Sequence, residues 1–182
     1  MPAMVAPCAT LAVVVELSAV ADRLQSAAHA LVAMGPDIEA AGPWPLAEQF
    51  GIEPEASWGP PELLAHVAEM TSFWLGEIER ILAAPASADP VPFGRVSGDA
   101  TRIAIIGRDR TVPVRELLAR IASESARAVA RLREVDATDA GGRSGLHPRL
   151  GEMTLPAIGE RFLAGHAEEH VLQLRDILDA AG

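Results

Sequence analysis

Two histidines near the end of the chain are four residues apart, in the segment 160–173 that reads ERFLAGHAEEHVLQ. In a helix, His166 and His170 would project from the same face with their Cβ atoms about 5–6 Å apart. Ile158 and Phe162 precede the pair at the same spacing, so this face is also the apolar one. Two neutral imidazoles in this arrangement can bind one divalent metal ion, but the site needs at least a third ligand.

A third histidine lies on the apolar stripe of another predicted helix, over residues 60–82. The stripe consists of Leu63, His66, Met70, Trp74 and Ile81. A buried imidazole must be hydrogen-bonded or bound to a metal, because an unpaired ring nitrogen costs about 1–3 kcal/mol. His66 is therefore the candidate third ligand. Three imidazoles suit Zn, Ni or Fe(II) and leave open positions at which a bound water or thiol loses its proton readily.

The remaining histidines and the single cysteine are weaker candidates for a metal site. His147 precedes Pro148 in a predicted loop, which favours a structural residue or one at the rim of a pocket. His29 is expected to be a partly exposed helix residue. Because Cys8 is the only cysteine, the chain can form neither an internal disulfide nor a zinc site built from thiolates. We expect Cys8 to be inert.

Three polar residues near these histidines could hydrogen-bond a ligand or act as a base. Glu69 follows His66 by three residues, Glu169 immediately precedes His170, and Gln173 follows His170 by three residues. Gln173 lies on the ligand side of the helix and is the best candidate for an outer partner. An exposed helix position is the simpler interpretation of Glu169.

Other metal sites known in helical proteins do not fit the residues beside these histidines. A di-iron carboxylate bundle needs Glu three residues before a ligand histidine, but positions 63 and 167 are Leu and Ala. The zinc-protease motif HExxH is also absent, because Ala follows His166 where that motif has Glu. These comparisons leave the three-histidine site as the main candidate.

Hydrophobic periodicity predicts four long helices, over residues 11–34, 60–82, 111–135 and 154–181. Thr154 is a good N-cap for the last of them, with Pro156 in its first turn. With no clear sheet, the pattern predicts an all-α fold, a four-helix bundle with long connecting loops, in one domain over residues 1–182. All three connections are long, so the order of the helices stays open. In the second connection, residues 102–106 are β-like and predict a small strand or an extended cover.

Composition limits the classes of partner. The net charge of −10 argues against nucleic acid. The apolar run 9–15 lacks a basic flank and ends at Glu16, too short to span a bilayer, so it predicts the start of the first helix. We therefore expect a cytoplasmic, soluble protein without nucleic-acid or membrane partners.

Three stretches together resemble the DinB/YfiT-like superfamily. They are WGPPELLAHVAE at 58–69, HPRLGEMTLP at 147–156, and the spacing HxxxHxxQ from His166 to Gln173. The resemblance covers the second and fourth predicted helices well, the third in pattern, and the first only in length and periodicity. The connector 84–112 has no counterpart in it.

This resemblance implies a metal-binding bundle, often a dimer, with His66, His166 and His170 as ligands. Characterised members include transferases and isomerases that use mycothiol or bacillithiol. We therefore expect a homodimer that binds one divalent ion, Zn, Ni or Fe, and activates a low-molecular-weight thiol for attack on an electrophilic small molecule. The alternatives are a non-catalytic stress-response module that binds a metal or small ligand, and a metal-free structural bundle.

Overall fold

The computed structural model describes residues 16–48, 57–86 and 89–182. The helices are α1 Leu17–Ala33, α2 Gly35–Ala40, α3 Pro60–Leu82, α4 Ala100–Asp109, α5 Val114–Glu134, α6 Ala137–Gly141, α7 Leu155–Gly159 and α8 Gly165–Ala181. The strands are β1 Val91–Pro92, β2 Ser144–His147 and β3 Gly151–Thr154, and a π-helical turn, Glu160–Ala164, joins α7 to α8. We call α7, the π-helical turn and α8 together the final helix.

A four-helix bundle is formed by α1, α3, α5 and the final helix, as the sequence predicted. Helix α1 packs against α5 and the final helix, and α3 packs against the same two. The consecutive long helices α1 and α3 therefore occupy diagonal corners, unlike an up-down-up-down bundle, where they would be neighbours. The long connection between them makes this order possible.

The core is formed by the apolar stripes of the four long helices. The predicted stripe of α3 is buried along its length, at Leu63, His66, Met70, Trp74 and Ile81. Each fully buried aliphatic side chain stabilises the fold by about 1.5–3 kcal/mol relative to exposure. Within the described residues, no helix is long and apolar enough to cross a membrane.

The first helix begins at Leu17, and Ala33 is its last residue. Its predicted start, in the run 9–15, lies outside the described residues. The other long helices begin and end within three residues of their predicted bounds. Thr154 is the N-cap of the final helix, and its hydroxyl accepts a hydrogen bond from the backbone N–H of Ala157 at 3.4 Å.

The predicted strand or extended cover at residues 102–106 is wrong, because this segment belongs to α4. The Asp99 side chain caps the helix by accepting a hydrogen bond from the Arg102 backbone N–H at 2.9 Å. Arg102, Ile106 and Asp109 are buried at helical spacing. The isoleucines between these residues favour a strand by propensity, but packing of one helical face against α3 outweighs it.

A small three-stranded sheet is also present where no clear sheet was expected. Strand β2 pairs with β1 in parallel and with β3 in an antiparallel hairpin. A Cβ at Gly145, in β2, would lie 2.5 Å from the Phe93 ring, which follows β1, and 2.8 Å from Cδ1 of Ile81 in α3. Glycine at this position therefore lets the sheet pack closely against the bundle. Strands of two to four residues are too short to produce a recognisable alternation in the sequence.

The π-helical turn sets the orientation of the helix that carries two of the three histidines. Its N–H of Gly165 donates to the Glu160 carbonyl, five residues earlier. A Cβ at Gly165 would lie 2.9 Å from that carbonyl oxygen. The turn contains one residue more than an α-turn. Phe162, within the turn, and His166, just after it, both line the same cleft.

We predict that Gly165→Ala destabilises the protein by about 1–3 kcal/mol, because the new methyl group meets a backbone oxygen that cannot move without breaking the π-helical turn. Chemical denaturation measures the free energy of unfolding. Gly76→Ala is the matched control, since Gly76 lies in α3 with no atom within 4 Å of the added Cβ. The control should be about 0.5–1 kcal/mol more stable than wild type. An equal increase in the free energy of unfolding for both variants would contradict the close contact at Gly165.

Candidate metal centre

The structure brings the three predicted histidines together between α3 and α8. The Nε2 atom of His166 lies 3.0 Å from Nε2 of His66 and 3.0 Å from Nε2 of His170. Nitrogen ligands at 2.0–2.1 Å from one ion lie about 2.8–3.4 Å from each other, for bond angles between octahedral and tetrahedral. The three rings therefore converge as the ligands of a single metal ion do, and the cluster could bind one.

The protonation states of these rings fit a metal better than a hydrogen-bonded cluster. Burial, and then the charges of Arg102 and Arg161, lowers the pKa of His166 to about 4. The pKa of His66 is also lowered well below its ordinary value, first by burial and then by His170 and Arg102. Neutral imidazole is the form that binds metals. If His166 Nε2 carries a proton, it can donate one good hydrogen bond, to either His66 or His170 and not to both. A cation, in contrast, interacts favourably with the lone pairs of all three nitrogens.

Gln173 lies on the outer side of His170. The Nδ1–H of His170 donates a hydrogen bond to the Gln173 side-chain oxygen at 3.1 Å. This bond assigns the proton of His170 to Nδ1 and leaves the Nε2 lone pair directed at the other two histidines. The spacing that suggested Gln173 as an outer partner thus corresponds to a direct contact.

The two glutamates suggested as partners have different surroundings. The Glu169 carboxylate lies 3.5 Å from His166 Nδ1, at the limit of a hydrogen bond, and its side chain is 76% exposed. Glu69 instead forms a nearly buried ion pair with Arg95. Its contact with Arg95 orders the segment after β1, and among the described residues it is not paired with a histidine.

Trp58 packs against the inner face of the histidine cluster. Its side chain is buried, and its ring meets that of His66 edge to face, with 5.6 Å between centroids. His66 Nδ1 is buried and has no hydrogen-bond partner in the described parts of the chain. Packing thus orients this ring, whereas a hydrogen bond orients His170.

A cleft of about 760 Å³ opens beside the cluster, lined by His66 and His166 among others. The aromatic side chains of Trp74 and Phe162 form one wall, stacked with 4.0 Å between ring centroids. Its size is that of a small-molecule site. A metal ion bound by the histidines would therefore have one side accessible to a substrate.

Three arginines also line the cleft, and the sequence did not single them out. The Arg95 guanidinium lies 3.8 Å from the Phe73 ring centroid, and Arg102 donates to the Ser97 carbonyl at 2.9 Å. Arg161 is exposed, on the π-helical turn. Two of the three come from the connector 84–112, where the sequence was interpreted as β-like. The spacing of Arg102, Ile106 and Asp109 is the signal that could have identified the helix.

Arg23 of α1 binds one carboxylate at the first residue of the π-helical turn and another in the first turn of α8. Its Nη1 atom lies 2.6 Å from Glu160 Oε1, and its Nε lies 2.8 Å from Glu168 Oε1. Hydrogen bonds to Glu168 and then Glu160 raise the Arg23 pKa above its ordinary value. This bridge joins α1 to the final helix and balances the charge of Glu160, which lines the cleft.

His147 and His29 lie outside the cluster. The Nδ1 atom of His147 accepts hydrogen bonds from the backbone N–H groups of Arg149 and Leu150 at 3.2 and 3.3 Å. Its buried ring packs against Phe162, and burial lowers its pKa. His147 is thus a structural residue behind the cleft wall, and His29 is exposed on α1, in agreement with the sequence.

Comparisons with known proteins agree with this fold. A family model described as the DinB superfamily matches residues 16–174. The solved structure of YfiT from Bacillus subtilis, described as a probable metal-dependent hydrolase with an unusual four-helix bundle topology, is similar at 14% identity and a TM-score of 0.58, covering 97% of this chain and 93% of that chain. No curated protein matches the chain significantly.

We predict that Glu69→Ala destabilises the protein by about 3–5 kcal/mol, because it leaves the Arg95 guanidinium nearly buried without its carboxylate. Thermal or chemical unfolding measures the loss. The control is Glu124→Ala, which breaks the more exposed pair with Arg127 on α5 and should cost at most about 0.5 kcal/mol. Similar small effects of both substitutions would show that the Glu69 pair is not a structural one.

Proposed function

Since the chain belongs to the DinB superfamily, we propose that it is a metal-dependent enzyme in which His66, His166 and His170 bind one divalent ion, zinc, nickel or iron. The observation that carries this proposal is the convergence of three histidine Nε2 atoms beside a cleft that His66 and His166 line. A bound ion at that point would lower the pKa of a thiol or water in an open coordination position, which supplies a nucleophile at neutral pH.

The protein's own residues would prepare the site. Gln173 fixes the proton of His170 on Nδ1, so that Nε2 faces the ion. Trp58 orients His66 by packing. The aromatic wall of Trp74 and Phe162 excludes water from one side of the cleft and offers an apolar surface to a substrate.

We propose a low-molecular-weight thiol as the nucleophile, attacking an electrophilic small molecule. The thiolate forms a sulfur–carbon bond while the bond from that carbon to a leaving group breaks, and the leaving group departs with the electron pair and takes a proton from solvent. The thiol proton passes to solvent or to Glu169, whose carboxylate is exposed at the cleft. Transfer needs two molecules side by side, and about 760 Å³ is enough for a small thiol and an acceptor. The resemblance to thiol-dependent transferases and isomerases supports the same assignment.

Hydrolysis is the second candidate, with water in place of the thiol. The observation in its favour is the description of the structurally similar YfiT as a probable metal-dependent hydrolase. The two reactions require the same histidines and the same open position. They differ in whether turnover depends on an added thiol.

We predict that protein purified without a histidine tag binds about one metal ion per chain, and that His166→Ala binds none, because two imidazoles do not suffice for a site. Elemental analysis after dialysis measures the stoichiometry. His29→Ala, which removes an exposed histidine far from the cluster in sequence, should keep the full metal content. Stoichiometric metal in the His166→Ala variant would refute the ligand assignment.

We predict that the metal-loaded protein conjugates a thiol to a model electrophile, tested with mycothiol, bacillithiol and glutathione. The rate should fall to the uncatalysed level in the His166→Ala variant and stay unchanged in His29→Ala. Turnover of an activated ester without any thiol would instead support hydrolysis. No turnover in either assay, with metal bound, would identify a non-catalytic metal-binding module.

A further inference from the structure

A groove of about 890 Å³ lies where the start of α1 meets the end of α5 and the start of the final helix. It is larger than the cleft beside the histidines. Most of its lining is apolar, and the apolar side chains include Leu17, Leu132, Val135, Met153, Pro156 and Ala157. We propose that this groove is the docking site of residues 9–15 of the same chain, which lie outside the described residues.

The chain enters the described structure at the edge of this groove. Glu16 lines the groove and is also the N-cap of α1. Its backbone is extended, with φ −86° and ψ 144°, so the chain departs from the helix axis at this residue. Seven residues before it reach up to about 25 Å. A short tether of this kind gives an effective concentration of about millimolar, which a free ligand would have to match.

The composition of the segment matches the apolar lining. Residues 1–15 contain no Asp, Glu, Lys, Arg or His, and residues 9–15 read ATLAVVV. Burial of these side chains against the groove would remove apolar surface from water on both partners. Because the segment is joined directly to α1, docking it closes only a short loop and costs little closure entropy.

The charged side chains that border the groove do not oppose an uncharged occupant. Arg133 donates a hydrogen bond to the Asp22 carboxylate at 2.6 Å, and Glu160 accepts one from Arg23 at 2.6 Å. The other two charged residues of the lining are exposed, Glu16 and Arg161. An apolar segment can therefore cover the groove without burying an unpaired charge.

The groove also offers hydrogen-bond partners to a peptide backbone. Strand β3 lies at the edge of the sheet, and its residues Met153 and Thr154 line the groove. No strand among the described residues pairs with the outer edge of β3. A segment that leaves water must pair its N–H and C=O groups, and an edge strand can bind an extended segment in this way. A peptide thus fits the groove better than an apolar ligand without such groups.

The groove and the cleft beside the histidines share part of their walls. Glu160 and Arg161, the first two residues of the π-helical turn, line both. A segment docked in the groove would therefore contact the turn that precedes His166, without adding a ligand to the metal centre.

Photocrosslinking from Cys8 tests this inference, because Cys8 is the only cysteine and directly precedes the segment. The full chain is labelled with a benzophenone maleimide and irradiated, and mass spectrometry identifies the crosslinked peptides. We expect crosslinks within one chain, mainly to residues 132–141 and 153–157.

Substitutions on both partners separate docking from mere proximity. Val14→Asp keeps the tether and the label but places a charge in the segment, and it should remove most of the groove crosslinks. Val5→Asp, outside residues 9–15, should leave them unchanged. Ala157→Glu places a charge at an exposed position of the groove and should also remove them. Ala119→Glu, at an exposed position of α5 outside the groove, is its matched control.

Three results would overturn the inference. The first is a set of crosslinks that does not include the groove. The second is a set of groove crosslinks that persists in Val14→Asp or Ala157→Glu, since the tether alone would then explain it. The third is crosslinking between chains in a mixture of ¹⁵N-labelled and unlabelled protein, which would show that the groove binds the segment of a second copy.

Discussion

Three imidazole nitrogens lie within 4.8 Å of one another inside the bundle, with Nε2 of His166 3.0 Å from those of His66 and His170. Hydrogen bonds between neutral rings can pair only some of these nitrogens, and burial disfavours the protonated, charged form of each ring. A divalent cation would give all three nitrogens a partner, because each lone pair would then face a positive charge. The histidines lie on α3 and α8, two helices that pack against each other in the bundle, so the fold itself brings the three ligands together.

The surrounding structure holds the three imidazole rings in their relative positions. Gly165 allows the π-helical turn, which determines where His166 points, and Arg23 ties that turn to α1. Diagonal placement of α1 and α3 makes α3 a direct neighbour of the final helix, and this is what brings His66 to the other two histidines. In an up-down-up-down order α3 would lie diagonally opposite the final helix, and the same sequence motifs would not converge.

The sequence predicted the elements with strong periodicity and missed those determined by tertiary contacts. The buried stripe of α3 and the HxxxHxxQ spacing were sufficient to find the cluster, because helical spacing alone decides which side chains share a face. Helix α4 was missed because its isoleucines favour a strand, and its helical state depends on the Asp99 cap and on packing against α3. Arg95 and Arg102 were missed with it. The π-helical turn has no sequence signal apart from the glycine at position 165.

X-ray absorption spectroscopy of the metal-loaded protein tests the central claim most directly, because it reports the atoms bound to the ion without relying on activity. The account predicts three imidazole nitrogens at about 2.0–2.1 Å for zinc, together with lighter oxygen scattering from solvent in the open position. Addition of the thiol substrate should introduce a sulfur at about 2.3 Å. A shell with fewer than three imidazoles, or one unchanged by replacement of His66, would contradict the proposed centre.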